Sequence, residues 1–148
     1  MPEKETLERA AEDKAEGKSA STQAGEFVHE EIEHIREGKH GARSAKQAIA
    51  IGLSKARRAG VKLPPPKKGE ASKETREQAK RDVKKGKTAA KKKTSAKRSR
   101  ATLNALKREG RAAASKTALS RQAHKTASKR SAASRSRSAK KAAATRKK

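Results

Sequence analysis

The sequence predicts a mostly disordered, all-α chain: a short helical hairpin over about 26–60, then a long basic tail, partly helical and rich in Ala, Lys, Arg and Ser. Three observations predict it. Leu, Ile, Val and Phe supply only 14 of 148 residues. The formal net charge is +26, from 42 Lys and Arg against 16 Asp and Glu. A chain so charged and so poor in large apolar groups is expected to bury too little to offset its conformational entropy. Finally, nine of those 14 side chains lie between Phe27 and Leu63, so a packed core is expected only there.

Charge and composition divide the chain into an acidic N-terminal arm (1–25), a hairpin (26–63) and a proline-initiated basic low-complexity tail (64–148). Residues 1–37 carry a net charge of −6, residues 38–69 carry +9, and residues 70–148 carry +23. After Glu109 no acid remains, while 13 Lys and Arg follow.

The arm has helix formers at 4–16, then a Gly/Ser/Thr linker. With Leu7 its only large apolar residue after Met1, it reads as a frayed helix or a disordered acidic segment. The acidic arm, part of the 1–37 stretch that carries −6, is expected to fold onto the tail and compete with a polyanion.

The first hairpin helix is "EFVHEEIEHIRE", 26–37. Val28, Ile32 and Ile35 recur at helical spacing, and Gly38 is placed to end it. The second is "SAKQAIAIGLSKARRAG", 44–60, where Ser44 and Gln47 match the S-x-x-Q capping box and Gly60 closes the element. Ala45, Ala48, Ile49, Gly52, Leu53, Ala56 and Ala59 share one face. The linker "GKHGAR" is short enough for a hairpin. Too little apolar surface is present to hold it alone, so self-association or a protein partner through 26–63 is expected. "KLPPPKKG" (62–69) ends the unit, because three prolines favour extended geometry and cannot continue a helix.

The stretch "GARSAKQAIAIGLSKARRAGVKLPPPKK" resembles the core of a group of small, uncharacterised bacterial proteins that share this helix and a basic segment after it. The resemblance covers about 30 residues and implies no activity and no site. The tail resembles the basic tails of linker-histone-like proteins by composition only.

In the tail, "KKGKTAAKKKTSAKRSR" places Lys84, Lys85, Lys87, Lys91, Lys92, Lys93, Lys97, Arg98 and Arg100 without an intervening acid. Such a block repels itself when free and is neutralised by a polyanion. Duplex DNA carries about one charge per 1.7 Å, so +23 matches the phosphates of roughly 12 base pairs. Further candidates for phosphate contact are Lys107, Arg108, Arg111, Arg121, Lys129, Arg130, Arg135, Arg137, Lys140 and Lys141. Alanine makes helix plausible from Arg100 onward; the final stretch, 131–148, reads as a disordered end.

Single-strand and RNA modules usually stack bases on aromatic rings, and this chain has one Phe and no Trp or Tyr. Sequence-specific DNA reading needs a rigid scaffold aimed at base edges. A hairpin imitating a helix-turn-helix, with Lys46 and Gln47 as readers, lacks a third supporting helix. The expectation is therefore a sequence-tolerant, architectural DNA-binding protein of the histone-H1-like kind, acting by phosphate neutralisation. Its expected location is cytoplasmic and nucleoid-associated. The alternatives are an RNA- or ribosome-associated basic protein, and a protein-interaction module with an incidental tail.

No enzyme is expected. His29 and His34 lie five apart, unlike the i, i+4 spacing of H-E-x-x-H, and His40 and His124 have no partner at ligand spacing. Catalytic, cofactor-binding and metal residues are accordingly expected to be none. With no cysteine, thiolate sites are excluded. No apolar run approaches the roughly 20 residues of a membrane span, and the acidic start is unlike a signal peptide.

Overall fold

A computed structural model describes residues 1–88 and 95–146, and these are helical over most of their length. In order they form α1 (Lys4–Ala15), α2 (Ala20–Arg36), α3 (Ala45–Arg58), α4 (Lys73–Lys87), α5 (Ala96–Lys107), a 3-10 turn (Ala112–Ala114), α6 (Lys116–Ser128) and α7 (Ala132–Arg146). No strand occurs among the described residues.

Six of the helices start on serine, and at α7 the Ser131 Oγ accepts from Ser134 N at 3.2 Å as the caps of four others do. The hydroxyls of Ser19, Ser44, Ser72 and Ser115 accept from the backbone N–H three residues on, satisfying one of the donors that a helix start leaves free. At α3, the Ser44 Oγ accepts from Gln47 N at 3.2 Å. Gln47 Oε1 reaches back one residue further than a standard capping box, to Arg43 N at 2.7 Å. Both expected glycine stops are present, with Gly38 at φ 79° and Gly60 at φ 99°. Beyond Gly60, Val61 N donates to Ala56 O at 3.1 Å, the long bond of a Schellman ending.

The α2–α3 pair is the centre of the fold, but it does not stand alone. Helix α1 packs on α2, α4 packs on α3, and the 3-10 turn and α6 close over the far end of the pair. Two apolar clusters result. Ile32, Ile35, Ala42, Ala48, Ala113 and Ala114 form one, flanked by Val28 and Leu119. Ala10, Ala24, Phe27 and Ala56 form the other, flanked by Leu53, Val61 and Leu63.

This overturns the expected mostly disordered chain, and intrinsic disorder as a description of it. The acidic arm is neither frayed nor free: α2 begins at Ala20 rather than near residue 26, and α1 lies against it. The stretch read as a disordered end is helical as α7 up to Arg146.

The physical reason is that counting large aliphatic groups missed the alanines. Nine of the twelve buried hydrophobic residues are Ala. Small side chains bury little area each, but they let helix backbones approach closely and gain dispersion contacts that area counting on Leu and Ile ignores. Gly52 is the extreme case, since a Cβ there would stand 2.6 Å from Val28 Cα.

Polar contacts dock the remaining pieces. The carboxylate of Asp82 on α4, 1% exposed, accepts from Ser54 Oγ at 2.7 Å and Gln78 Nε2 at 3.1 Å, and pairs with Arg58 Nε at 3.1 Å. Arg57 is buried and donates to the carbonyls of Leu63 and Pro64, tying the proline segment to the end of α3. Gly41 N donates to Leu106 O at 2.9 Å and Ala42 N to Gly110 O at 3.1 Å, which seats the end of α5 against the α2–α3 loop. Arg36 Nε donates to Ala114 O at 3.1 Å, holding the 3-10 turn on α2.

Candidate nucleic-acid interface

The sequence separates acids from bases along the chain, and the fold separates them again by pairing. Fourteen ion pairs occur among the described residues, and every base in them lies between Lys4 and Arg58. Glu30 and Glu31 on α2 take Lys55 of α3. Glu3 takes His34 and Lys39, Glu26 takes Arg9, and Asp82 takes Arg58. Beyond Arg58, no described Lys or Arg is ion-paired with a carboxylate of the described residues. The expected folding of the acidic arm onto the tail is thus not what the structure shows; the arm's charges are spent within the α1–α3 unit.

At Glu30 the pairing is buried. Burial pushes its carboxyl upward, but hydrogen bonds from the Glu3 N–H, Thr6 and Lys55 outweigh that and hold it below the usual carboxyl range. Because Glu3 and Thr6 open α1, Glu30 also supplies negative charge at a helix N-terminus. Lys55 is lowered by desolvation and raised more by Glu31 and Glu30, so it stays above the ordinary amine value. Glu3 is lowered by its hydrogen bonds with His34 and Lys39.

The candidate phosphate contacts fall on four helices. Lys84, Lys85 and Lys87 are exposed at the C-terminal end of α4. Lys97, Arg98, Arg100 and Lys107 are exposed on α5, with Arg108 capping it. Arg121 is exposed on α6 and Lys129 caps it. Arg135, Arg137, Lys140 and Lys141 are exposed around α7, which buries no residue. Lys91, Lys92 and Lys93 lie outside the described residues.

Two candidates have internal duties. Arg111 donates to Arg36 O at 3.4 Å beside Gly38, and Arg130 is bonded to Ser134 and Ser138 across the α6–α7 turn. Sequence reasoning missed exposed Lys80 and Arg81 on α4, and Lys116 and Lys125 on α6. Lys116 and Lys125 lie in the acid-free stretch after Glu109, so their signal was present, whereas Lys80 and Arg81 sit between Glu77 and Asp82 and carry no such signal. The imitation of a helix-turn-helix fails in detail: α3 is packed between α2, α4 and α6, and Gln47 is engaged by Arg43.

Chemically, these helices offer exposed ammonium and guanidinium donors, without a Phe, Tyr or Trp ring on which a base could stack. That suits repeated contacts with phosphate oxygens.

Residues 13–68 match a family of unknown function (DUF6496). The span runs from the end of α1 through α2, α3 and the proline segment, and it fits the expected likeness to an uncharacterised protein group. All of the candidate phosphate contacts lie beyond it. No curated protein and no solved structure matches the chain. No helix among the described residues is long and apolar enough to cross a membrane.

Proposed function

We propose that the protein binds duplex DNA through its phosphate backbone, with little preference for sequence, and acts as a nucleoid-associated protein. The observation that supports this reading is the one-sided pairing: twelve of the sixteen carboxylates are matched by bases from residues 4–58, while the described bases of α4–α7, Arg76 apart, are exposed and in no ion pair. Counterion release from the polymer then supplies the binding free energy, and no pocket is required. The α1–α3 unit serves as the folded body from which the basic helices project.

The test is binding of full-length protein to unrelated duplexes across a salt series, beside a variant with Lys97, Arg98, Arg100, Lys107, Arg108 and Arg121 changed to Gln. Each lost phosphate contact is expected to reduce the slope of log K against log salt by about 0.9, similarly on every sequence. Unchanged slopes in the variant reject the assignment of α5 and α6. Stronger binding to structured RNA than to duplex DNA at equal salt rejects DNA as the partner.

A further inference from the structure

The hairpin brings together three residues that sequence spacing keeps apart. Glu31 and His34 are one helical turn apart on α2, an i, i+3 pair on one face. The turn after α2 folds His40 back towards them. One ligand atom each from Glu31, His34 and His40 lie within 4.8 Å of one another. The His34 and His40 rings meet edge-on, with centroids 6.2 Å apart.

Hydrogen bonding at His40 leaves a specific gap. Its Nδ1 lies 3.1 Å from the Gly41 carbonyl, an oxygen that can only accept, so Nδ1 carries the proton. In the neutral ring Nε2 then presents a lone pair, and it faces Glu31 Oε1 at 3.1 Å. A proton on Nε2 or a cation held between the two atoms satisfies this contact. Glu31 itself is 1% exposed, and its Oε1 has no hydrogen bond among the described residues. Lys55 Nζ stands 2.7 Å from Oε2 and neutralises that oxygen, so Oε1, facing His40, is the one left open.

We propose that Glu31, His34 and His40 form a binding site for a borderline divalent cation of the zinc type. Two imidazoles and one carboxylate are a donor set that zinc accepts, whereas magnesium and calcium select oxygen ligands. Zinc bonds of about 2.0–2.1 Å put tetrahedral ligands roughly 3.3 Å apart, and the His40–Glu31 pair already has that separation. His34 needs a shift of about an ångström or more to complete the set.

The outer contacts are in place. His34 Nε2 is 2.8 Å from Glu3 Oε1, and the Gly41 carbonyl holds His40, the two kinds of partner that orient metal-bound imidazoles. Charge also permits it. Glu3, Glu30 and Glu31 outnumber Lys39 and Lys55 in the cluster, so neutral imidazoles leave one negative charge before the ion enters. His40 lines an open cleft with Glu37, Gly41, Lys107, Glu109 and Arg111, which gives the ion a path from solvent. The bound ion would join α2 to the loop whose Gly41 and Ala42 hold the end of α5.

The experiment is titration of the full-length protein with Zn2+ by calorimetry, with Mg2+ as control, and histidine-detected NMR of the same samples. One saturable equivalent is expected, with the ring signals of His34 and His40 moving and those of His29 and His124 staying in place. His40→Asn is expected to weaken zinc binding by at least about 100-fold, more than the loss of an outer hydrogen-bond partner typically does, while His29→Asn leaves it unchanged. Absence of saturable binding overturns the site. So does zinc that shifts all four histidines alike, or His40→Asn retaining full affinity. Should His40→Asn fail to fold, the ring signals of the unsubstituted protein decide.

Discussion

Glu30 on α2 and Lys55 on α3 meet at 3.0 Å, and the same carboxylate accepts the backbone N–H of Glu3 at 3.0 Å. One buried acid therefore joins three helices, while Glu31 beside it shares the same ammonium. Replacing Lys55 with Met leaves two carboxylates without their ammonium, Glu30 at 4% and Glu31 at 1% residue exposure. The cost of such an orphaned charge is about 3–5 kcal/mol. Urea unfolding of K55M is expected to show that loss; a change below about 0.5 kcal/mol would mean that the pair does not hold the bundle.

Stability is expected to fall at both extremes of pH. Glu30 and Glu3 sit below their ordinary values in the fold, so their contribution is present above the unfolded carboxyl pKa of about 4.3. It is lost as pH drops through their folded values. Lys55 is raised, so its contribution is complete below the unfolded amine pKa of about 10.4 and is lost as pH climbs through the folded value. Thermal melts from pH 2 to 12 should show a plateau bounded by these two declines, and a melting temperature independent of acid would contradict the Glu30 assignment.

Two glycines inside helices should respond oppositely to alanine. At Gly52 the new methyl meets the Val28 backbone at 2.6 Å, so overpacking of about 1–3 kcal/mol outweighs the helix-propensity gain. At Gly25, also helical, a Cβ meets nothing within 4 Å, so G25A is expected to stabilise by up to about 1 kcal/mol. Chemical denaturation of both variants checks the sign, and similar effects at the two sites would show that α2 and α3 are not in close backbone contact.

Removing residues 131–148 should separate binding from stability. Helix α7 buries nothing, so the melting temperature of the remainder is expected to stay within a degree or so. The seven bases removed should lower the DNA salt slope by at most about 6. A large drop in melting temperature would assign α7 a structural duty.

The hairpin, its stops at Gly38 and Gly60 and its start at Ser44 were legible in the sequence, because capping and helical spacing are local rules. The cover over that hairpin was not. Helix α4 docks through Ala79 and the buried Asp82, and the 3-10 turn through Ala113 and Ala114; such residues look like solvated helix or low-complexity filler until a partner surface is known. The Glu31–His34–His40 cluster was hidden for a related reason. His40 reaches Glu31 through the geometry of a turn, and spacing along a single helix carries no record of that.

The described bases beyond Arg58, in no ion pair with the described carboxylates, are proposed to attract a phosphate polymer. The decisive measurement is a salt titration of the intact protein on unrelated DNA duplexes. Tight binding in dilute buffer, a steep linear fall of log K with log salt, and nearly equal affinities across sequences are expected. Failure to bind DNA at low salt, or affinity that ignores salt, would overturn phosphate attraction as the source of binding.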